Sequence, residues 1–253
     1  MRPDITAGSV LENMPTGSSG QACIDLNKDG KIDPVKERSA LHERLLPWPS
    51  DLARRADIPL KWVPLNWNPK GHILPGIYDT SHFEVHFMID PIESILSIHP
   101  GGCGPEHLRC DQFAAARKPT PGNYTLASYI DVGAVVPGMG NHLVNVTGPE
   151  FKGKKFKCRW IYGVYGGRVT FYEDMVDLAY LKSKPSEYFP IPELEAVAAS
   201  GYYQTQSCIC YVEGNNNYMV FPEGFAMRTA ARRPRRARHR RHRHRRSRRV
   251  ARC

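Results

Sequence analysis

The sequence predicts an α+β domain that is mainly β, with a barrel-like or strongly curved antiparallel sheet and short helices. Alternating and aromatic-rich stretches recur from Ile58 onwards, as in LKWVPLNW and GIYDTSHFEVHFMI, and such alternation is typical of strands. Two pairs of these stretches, GVYGGRVTF and CICYVEGNNNYMVFPEG, are joined by Gly or Asn residues. Because Gly and Asn tolerate positive φ, we expect both pairs to be β-hairpins.

Composition divides the chain into four segments. Residues 1–22 are rich in Gly, Ser, Thr and Pro and predict a flexible lead-in. Residues 23–57 hold an Asp-rich loop that resembles calcium loops, followed by short helices, and residues 58–228 form the barrel-like domain. Residues 229–253 are expected to be a disordered, arginine-rich tail.

Three helical segments are also expected, one before the strand-rich region and two within it. In the N-terminal segment, apolar or small residues at helical spacing continue as far as Leu46 and stop at Pro47. Asp174 to Lys182 follows a strand directly and has apolar residues on one face. Pro192 to Ser200 begins with Pro and ends before a glycine, which is the usual asymmetry of helix ends.

The formal net charge of +10 is concentrated in the tail. Residues 229–253 contain 13 Arg and no acidic residue, which leaves 22 Lys and Arg against 25 Asp and Glu elsewhere. The basic balance therefore gives no information about the partners of the domain itself. No apolar run approaches the ~20 residues of a membrane span, and the first 20 residues lack the basic start and apolar stretch of a signal peptide.

The segment His82-Phe83-Glu84-Val85-His86 carries the clearest chemical signal in the sequence. On a strand, His82, Glu84 and His86 face one side, because side chains alternate between the two faces. Two imidazoles and a carboxylate inside an apolar strand predict a divalent transition-metal site that is completed from other strands. The candidate ligands are His82 and His86 of this segment, together with His142 and Glu173 from elsewhere in the chain. Glu84 is either a further ligand or a general base.

Other interpretations of this segment stay open at the level of sequence. The polar residues are equally compatible with the solvated face of a half-exposed sheet or with a buried hydrogen-bond network. Asp79 and Tyr162 are candidates for orienting an imidazole. The spacing does not distinguish a metal ligand from a general base. The hypothesis that Glu84 is catalytic in metal-dependent hydrolysis therefore has less support than the hypothesis of metal binding. No nucleophile elbow, protease signature or phosphate loop is present.

Several motifs also carry a family resemblance over roughly residues 58–228. The order IYDTSHFEVHFMI, VPGMGNHLVN, PEFKGKKF, WIYGVYGGRVTFYEDMV, SGYYQTQ and EGFAMR resembles a family of bacterial secreted or lipoprotein domains of unknown function, typified by a sigma-E-regulated thermophile protein. The resemblance implies a β-barrel-like fold, a secreted, periplasmic or cell-envelope location, and assembly into homo-oligomers, but no established activity. The motif positions of this family include His82, Glu84, His86, His142 and Glu173.

The Asp-rich loop DLNKDGKID predicts a weak calcium site. It matches the first nine positions of an EF-hand loop, in which alternate oxygens converge on one cation. Position 12, normally a bidentate Glu, is Lys36 here, so the loop is closer to the short loops of dockerin-like modules. The alternative is an Asx-type turn with solvated carboxylates. The candidate calcium-binding positions are Asp25, Asn27, Asp29, Lys31 and Asp33.

The cysteines favour an oxidising compartment. Cys103 and Cys110 flank a short Gly- and Pro-rich loop that a disulfide closes easily, although the pair is also compatible with a metal site that includes His107. Cys208 and Cys210 alternate along an expected strand, where burial side by side is the simplest interpretation. The spacing therefore predicts one disulfide, between Cys103 and Cys110.

The tail RRPRRARHRRHRHRRSRR is a candidate for non-specific binding of nucleic acid or anionic surfaces. Such a run repels itself and binds phosphates without reading bases. Arg235, Arg236, Arg240 and Arg241 are representative contact residues. The alternative, which the sequence favours, is a low-complexity extension without a selected role.

Overall fold

The computed structural model describes residues 4–5, 44–68, 71–72, 74–106 and 108–231. The strands are β1 (Asp4–Ile5), β2 (Arg44–Pro47), β3 (Trp62–Asn68), β4 (His82–Met88), β5 (Pro100–Cys103), β6 (Tyr129–Val136), β7 (Gly140–Asn145), β8 (Cys158–Tyr165), β9 (Arg168–Asp177), β10 (Ser186–Pro190), β11 (Gly201–Tyr203), β12 (Gln206–Val212), β13 (Asn217–Glu223) and β14 (Ala226–Arg228). The helices are α1 (Ser50–Ala53), α2 (Ile92–Leu96), α3 (Cys110–Ala116) and α4 (Leu178–Lys182). The expected class, mainly β with antiparallel pairing and short helices, is confirmed.

A seven-stranded antiparallel sheet forms the centre of the described structure. Its strand order is β2-β3-β4-β9-β8-β7-β6, which places β4 and β9 side by side in the interior of the sheet. Within the described residues, β2 and β6 are its two edges, so the sheet is open and does not close into a barrel there. The register between β4 and β9 makes His86 the direct partner of Glu173.

Both predicted hairpins are confirmed. The β8–β9 pair turns through Gly166 and Gly167, whose φ values are +63° and +81°. The β12–β13 pair turns at Asn216, with φ of +52°. Positive φ is costly for most side chains, and Gly and Asn are the residues that adopt it most readily.

The prediction of a helix that ends at Leu46 is wrong for the residues of that segment that the structure describes. Residues 44–47 form strand β2, in which Leu45 pairs with Pro64 and Pro47 with Trp62 of β3. The following Trp48 is buried in the main core. Tertiary pairing with β3 therefore overrides a local pattern that was compatible with a helix.

The two later helices also differ from expectation. Strand β9 continues through Asp177, whose side chain accepts a hydrogen bond from the backbone of Tyr180 and caps α4, so the helix begins four residues later than predicted. Residues 192–200 form no helix. There, the Ala196 amide donates to the Asn123 carbonyl and the Val197 carbonyl accepts from Ala231, so neighbouring segments take the hydrogen bonds that a helix would need.

The two faces of the seven-stranded sheet have different characters. One face packs apolar side chains such as Val85, Phe87 and Trp160 in the main core, together with Ile209 and Val220 of a four-stranded sheet of order β1-β13-β12-β10. The other face carries the polar residues of β4. Two smaller apolar clusters share that face, one around Met88 and Phe171 and one around Tyr78 and Met175.

Candidate metal centre

Strand β4 brings three polar side chains to one buried face. His82, Glu84 and His86 alternate with Phe83, Val85 and Phe87, and the exposed fractions of the three polar residues are 0%, 7% and 0%. Burial on both faces of β4 excludes the interpretation as a solvated sheet face. Buried polar and charged groups must instead be paired, hydrogen-bonded or bound to an ion.

Neighbouring strands complete a first group, formed by His86, His142 and Glu173. Glu173 Oε2 lies 3.5 Å from His86 Nε2 and 3.6 Å from His142 Nε2. One potential ligand atom from each residue lies within 4.8 Å of the others. The group joins strands β4, β7 and β9. All three residues were predicted from the sequence as metal ligands.

The surroundings of this group fix the tautomer of His142 and keep both imidazoles neutral. The Ala134 carbonyl can only accept, so His142 Nδ1, 3.0 Å away, carries the hydrogen and its Nε2 presents a lone pair. Burial lowers the pKa of His86 to about 3 and also lowers the pKa of His142, so both imidazoles are neutral. Among the described residues, His86 Nε2 and Glu173 Oε2 have no hydrogen-bond partner.

The carboxyl group of Glu173 is held in an unfavourable environment. Burial, followed by the nearby carboxylates of Glu84 and Asp174, raises its pKa well above the usual range. A cation between Glu173 and the two imidazoles would reverse this, because an adjacent positive charge favours the ionised carboxylate.

His72, His82 and Glu84 form a second group. His72 Nε2 donates to Glu84 Oε1 at 2.5 Å, and His82 Nε2 lies 3.4 Å from the same oxygen. Burial opposes ionisation of Glu84, but the two histidines outweigh it and hold the pKa of the carboxyl well below its usual range. The single site expected from the sequence is therefore divided in two, because His82 and Glu84 lie with His72 and not with His86.

His72 was not identified from the sequence. It lies in the segment between β3 and β4 and follows Gly71, which has φ of +72°. A Cβ at Gly71 would approach the Tyr78 carbonyl oxygen to 2.0 Å, so only glycine permits this path of the chain. In the sequence, the only indication of this residue was a histidine that follows a glycine. Such a pair does not predict the direction in which the histidine side chain points.

Asp79 and Tyr162 do not orient an imidazole, contrary to expectation. Asp79 is exposed and accepts from the backbone of Gly76, and Tyr162 donates to the Pro192 carbonyl from the other face of the sheet. Backbone carbonyls take this role instead. The Thr80 carbonyl lies 2.7 Å from His82 Nδ1, as the Ala134 carbonyl does for His142.

Phe171 packs against both imidazoles of the first group. Its ring centroid lies 5.3 Å from that of His86 and 5.0 Å from that of His142. The ring occupies the space beside Gly163, where an added Cβ would approach it to 2.1 Å. Phe171 and Gly163 therefore position the group, and neither was named from the sequence, since an apolar residue and a glycine in a strand carry no ligand signal.

The remaining predicted positions fall into two sets. Cys103 and Cys110 are joined by a disulfide, with Cα atoms 5.0 Å apart. A second disulfide joins Cys208 and Cys210, where simple burial was expected. The calcium-loop and tail candidates lie outside the described residues: Asp25, Asn27, Asp29, Lys31, Asp33, Arg235, Arg236, Arg240 and Arg241.

Comparison with known proteins gives no assignment. No family model matches the chain, and no curated protein or solved structure is detectably similar to it. In the described part of the chain, no helix has the length and apolar character that a membrane crossing requires. The functional argument therefore rests on the geometry of the two groups.

Proposed function

We propose that the protein binds a divalent transition metal through His86, His142 and Glu173. The observation that carries this proposal is the pair of contacts, at 3.5 and 3.6 Å, that Glu173 Oε2 makes with the Nε2 atoms of His86 and His142. These contacts are longer than ordinary hydrogen bonds, and the lone pair of His142 Nε2 faces a buried Glu173 oxygen that has no hydrogen-bond partner among the described residues. Bonds of 2.0–2.2 Å in a tetrahedral zinc site place neighbouring ligand atoms about 3.3 Å apart, which is close to the observed separations.

The donor set restricts the class of metal. Imidazole nitrogen suits zinc, copper, iron and nickel, whereas calcium and magnesium prefer sites made of oxygen alone. Two histidines and one glutamate are also the protein ligands of several catalytic zinc sites, in which the fourth position holds water. The proposed centre therefore binds a metal with one open coordination position.

If the centre is catalytic, metal-assisted hydrolysis is the reaction class that fits it. The metal would lower the pKa of a bound water, and an ionised carboxylate nearby would accept its proton. Glu84, the candidate base from the sequence, lies on the same face of β4 as His86, but its carboxylate contacts His72 and His82 of the other group. The competing proposal is a non-catalytic binding or assembly module whose histidines and glutamates form only a hydrogen-bond network.

Location and further partners are separate proposals. The Cys103–Cys110 disulfide supports a secreted, periplasmic or cell-envelope protein, because disulfides persist in oxidising compartments. The family resemblance, barrel-like curvature, homo-oligomers, calcium at the Asp-rich loop and nucleic-acid binding by the tail remain predictions. Each needs its own experiment, and none is required for the metal site.

Elemental analysis of the full chain tests the proposal. The wild type, His86→Ala and the control His99→Ala would be loaded with zinc and dialysed against metal-free buffer. His99 has an exposed side chain, so its removal leaves both groups intact. We expect His86→Ala to retain one zinc fewer per chain than the control. Equal metal content would contradict the site and favour the hydrogen-bond network.

A further inference from the structure

The second group has the features of a separate cation site. His82 Nδ1 faces the Thr80 carbonyl, which can only accept, so the Nδ1 carries the hydrogen and Nε2 presents its lone pair. That nitrogen is buried and has no hydrogen-bond partner among the described residues. It points at a carboxylate oxygen of Glu84 across 3.4 Å. His72 already donates to this oxygen, but the lone pair of His82 Nε2 has no donor, and a cation bound beside the carboxylate would satisfy it.

A further oxygen lies beside this group. Asn66 of β3 is the direct cross-strand partner of Glu84, so the two side chains share one face of the sheet. Asn66 is 9% exposed, and its side-chain oxygen has no hydrogen-bond partner among the described residues. A buried amide oxygen without a donor is unfavourable. A bound cation would satisfy it together with His82 and Glu84.

Aromatic side chains enclose the group on one side. The His82 ring lies 5.6 Å from Phe156, and the His72 ring lies 6.2 Å from Tyr78, measured between centroids. His72 is the most exposed member, with 20% of its side chain accessible. The surroundings therefore limit water near His82 and leave His72 as the side from which an ion would enter.

We propose that His72, His82 and Glu84 bind a second divalent transition metal, with Asn66 supplying an oxygen and with the His72–Glu84 hydrogen bond replaced by bonds to the ion. The site is distinct from the one at His86, because His82 and His86 are four residues apart on a strand, about 13 Å along the backbone. Metal ions that share a bridging ligand lie about 3.5–4 Å apart. The chain thus holds two separate ions and not a bridged pair, and the second site does not depend on the first.

Zinc stoichiometry of full-length variants tests this inference. His82→Ala and Glu84→Gln remove the second site, His86→Ala removes the first, and His99→Ala is the control. The tail histidines are present in every variant, so the measured quantity is the difference from the control. We expect His82→Ala and His86→Ala each to retain one zinc fewer than the control, and the double variant to retain two fewer. Glu84→Gln keeps the size of the side chain and provides a second test if His82→Ala fails to fold, as judged by circular dichroism.

The possible results separate the two proposals. If His82→Ala and Glu84→Gln match the control while His86→Ala loses one zinc, the second site is overturned and the first stands. If His86→Ala matches the control while His82→Ala loses one zinc, the first site is wrong and the second stands. If all variants match the control, both groups are hydrogen-bond networks.

Discussion

His86 and Glu173 are direct partners across the β4–β9 pair, with Nε2 and Oε2 3.5 Å apart and neither side chain more than 1% exposed. Backbone pairing alone brings them together, so the distance is set by the sheet and not by flexible loops. His142 reaches the same oxygen from β7. A rigid support of this kind favours tight binding, since ligands that are already in place lose little entropy when the ion binds.

Glu173→Gln should separate metal binding from stability. Without metal, the variant removes a carboxyl group that is unfavourable to ionise where it is buried, so we expect its melting temperature to equal or exceed that of the wild type. Zinc at 100 times Kd stabilises the wild type by about 2.7 kcal/mol, an increase on the order of 5–10 °C. The variant should lose the part of the zinc response that the His86, His142 and Glu173 group supplies, and keep only a response from the His72, His82 and Glu84 group. Glu93→Gln, at an exposed position of α2, is the matched control, and a full zinc response in Glu173→Gln would contradict the assignment.

Gly163→Ala should disturb the first group without touching a ligand. The new methyl would meet the ring of Phe171, which packs against His86 and His142. Overpacking of this kind costs about 1–3 kcal/mol, and we expect weaker zinc binding in addition. Gly122→Ala is the control, because a Cβ there meets no atom within 4 Å. Denaturant unfolding and zinc titration measure both effects, and identical zinc affinity in the two variants would show that Phe171 does not position the imidazoles.

The ion pair between Arg117 and Asp131 should contribute to stability at neutral pH and lose that contribution in acid. Burial opposes ionisation of Asp131, but the hydrogen bond from Arg117 and the backbone of Gly133 lower its pKa. A lowered pKa adds stability above the unfolded pKa of about 3.9, and this is lost as pH falls through the folded value. For this partly exposed pair we expect Arg117→Ala to cost up to about 1 kcal/mol at pH 7.

The difference in free energy of unfolding between Arg117→Ala and the wild type should shrink between pH 7 and pH 2, because Asp131 becomes protonated as the pH falls through its folded pKa. Chemical denaturation at the two pH values, with Asp131→Asn as the other arm of a double-mutant cycle, measures the coupling. A cost in Arg117→Ala that does not change with pH would assign the effect to lost packing instead.

Cys158 should resist alkylation in the native state. It is a free cysteine, 6% exposed, and burial raises the pKa of its thiol well above the usual value. The reactive species is the thiolate, so neither access nor ionisation favours reaction. Iodoacetamide at pH 8 followed by peptide mass spectrometry should leave Cys158 unmodified until denaturant is added. Rapid native labelling would show that the strand end at β8 opens locally.

The sequence was sufficient for the strand β4 pattern and for both hairpins. Alternation placed His82, Glu84 and His86 on one face, and the glycine and asparagine residues marked the turns. These features are local, since each depends on residues within a few positions. His142 and Glu173 were also named, because polar residues in apolar strands are conspicuous without any knowledge of the pairing.

The division of the polar residues into two groups could not be predicted. It depends on the β4–β9 register and on the path of the segment that carries His72, and both are set by contacts between distant parts of the chain. The helix expected over residues 192–200 failed for a similar reason. Its local pattern was compatible with a helix, but Asn123 and Ala231 provide competing hydrogen bonds from far away in the sequence.

The strand order also has a kinetic consequence. Strands β8 and β9 are joined by a two-residue turn, so their contacts are local and can form within microseconds. Pairing of β4 with β9 instead requires closure of the chain between Met88 and Phe171, which carries a larger entropic cost and slows folding. The environment of His86 should therefore become native only after the hairpin exists, and a spectroscopic probe placed there would report a late step of refolding.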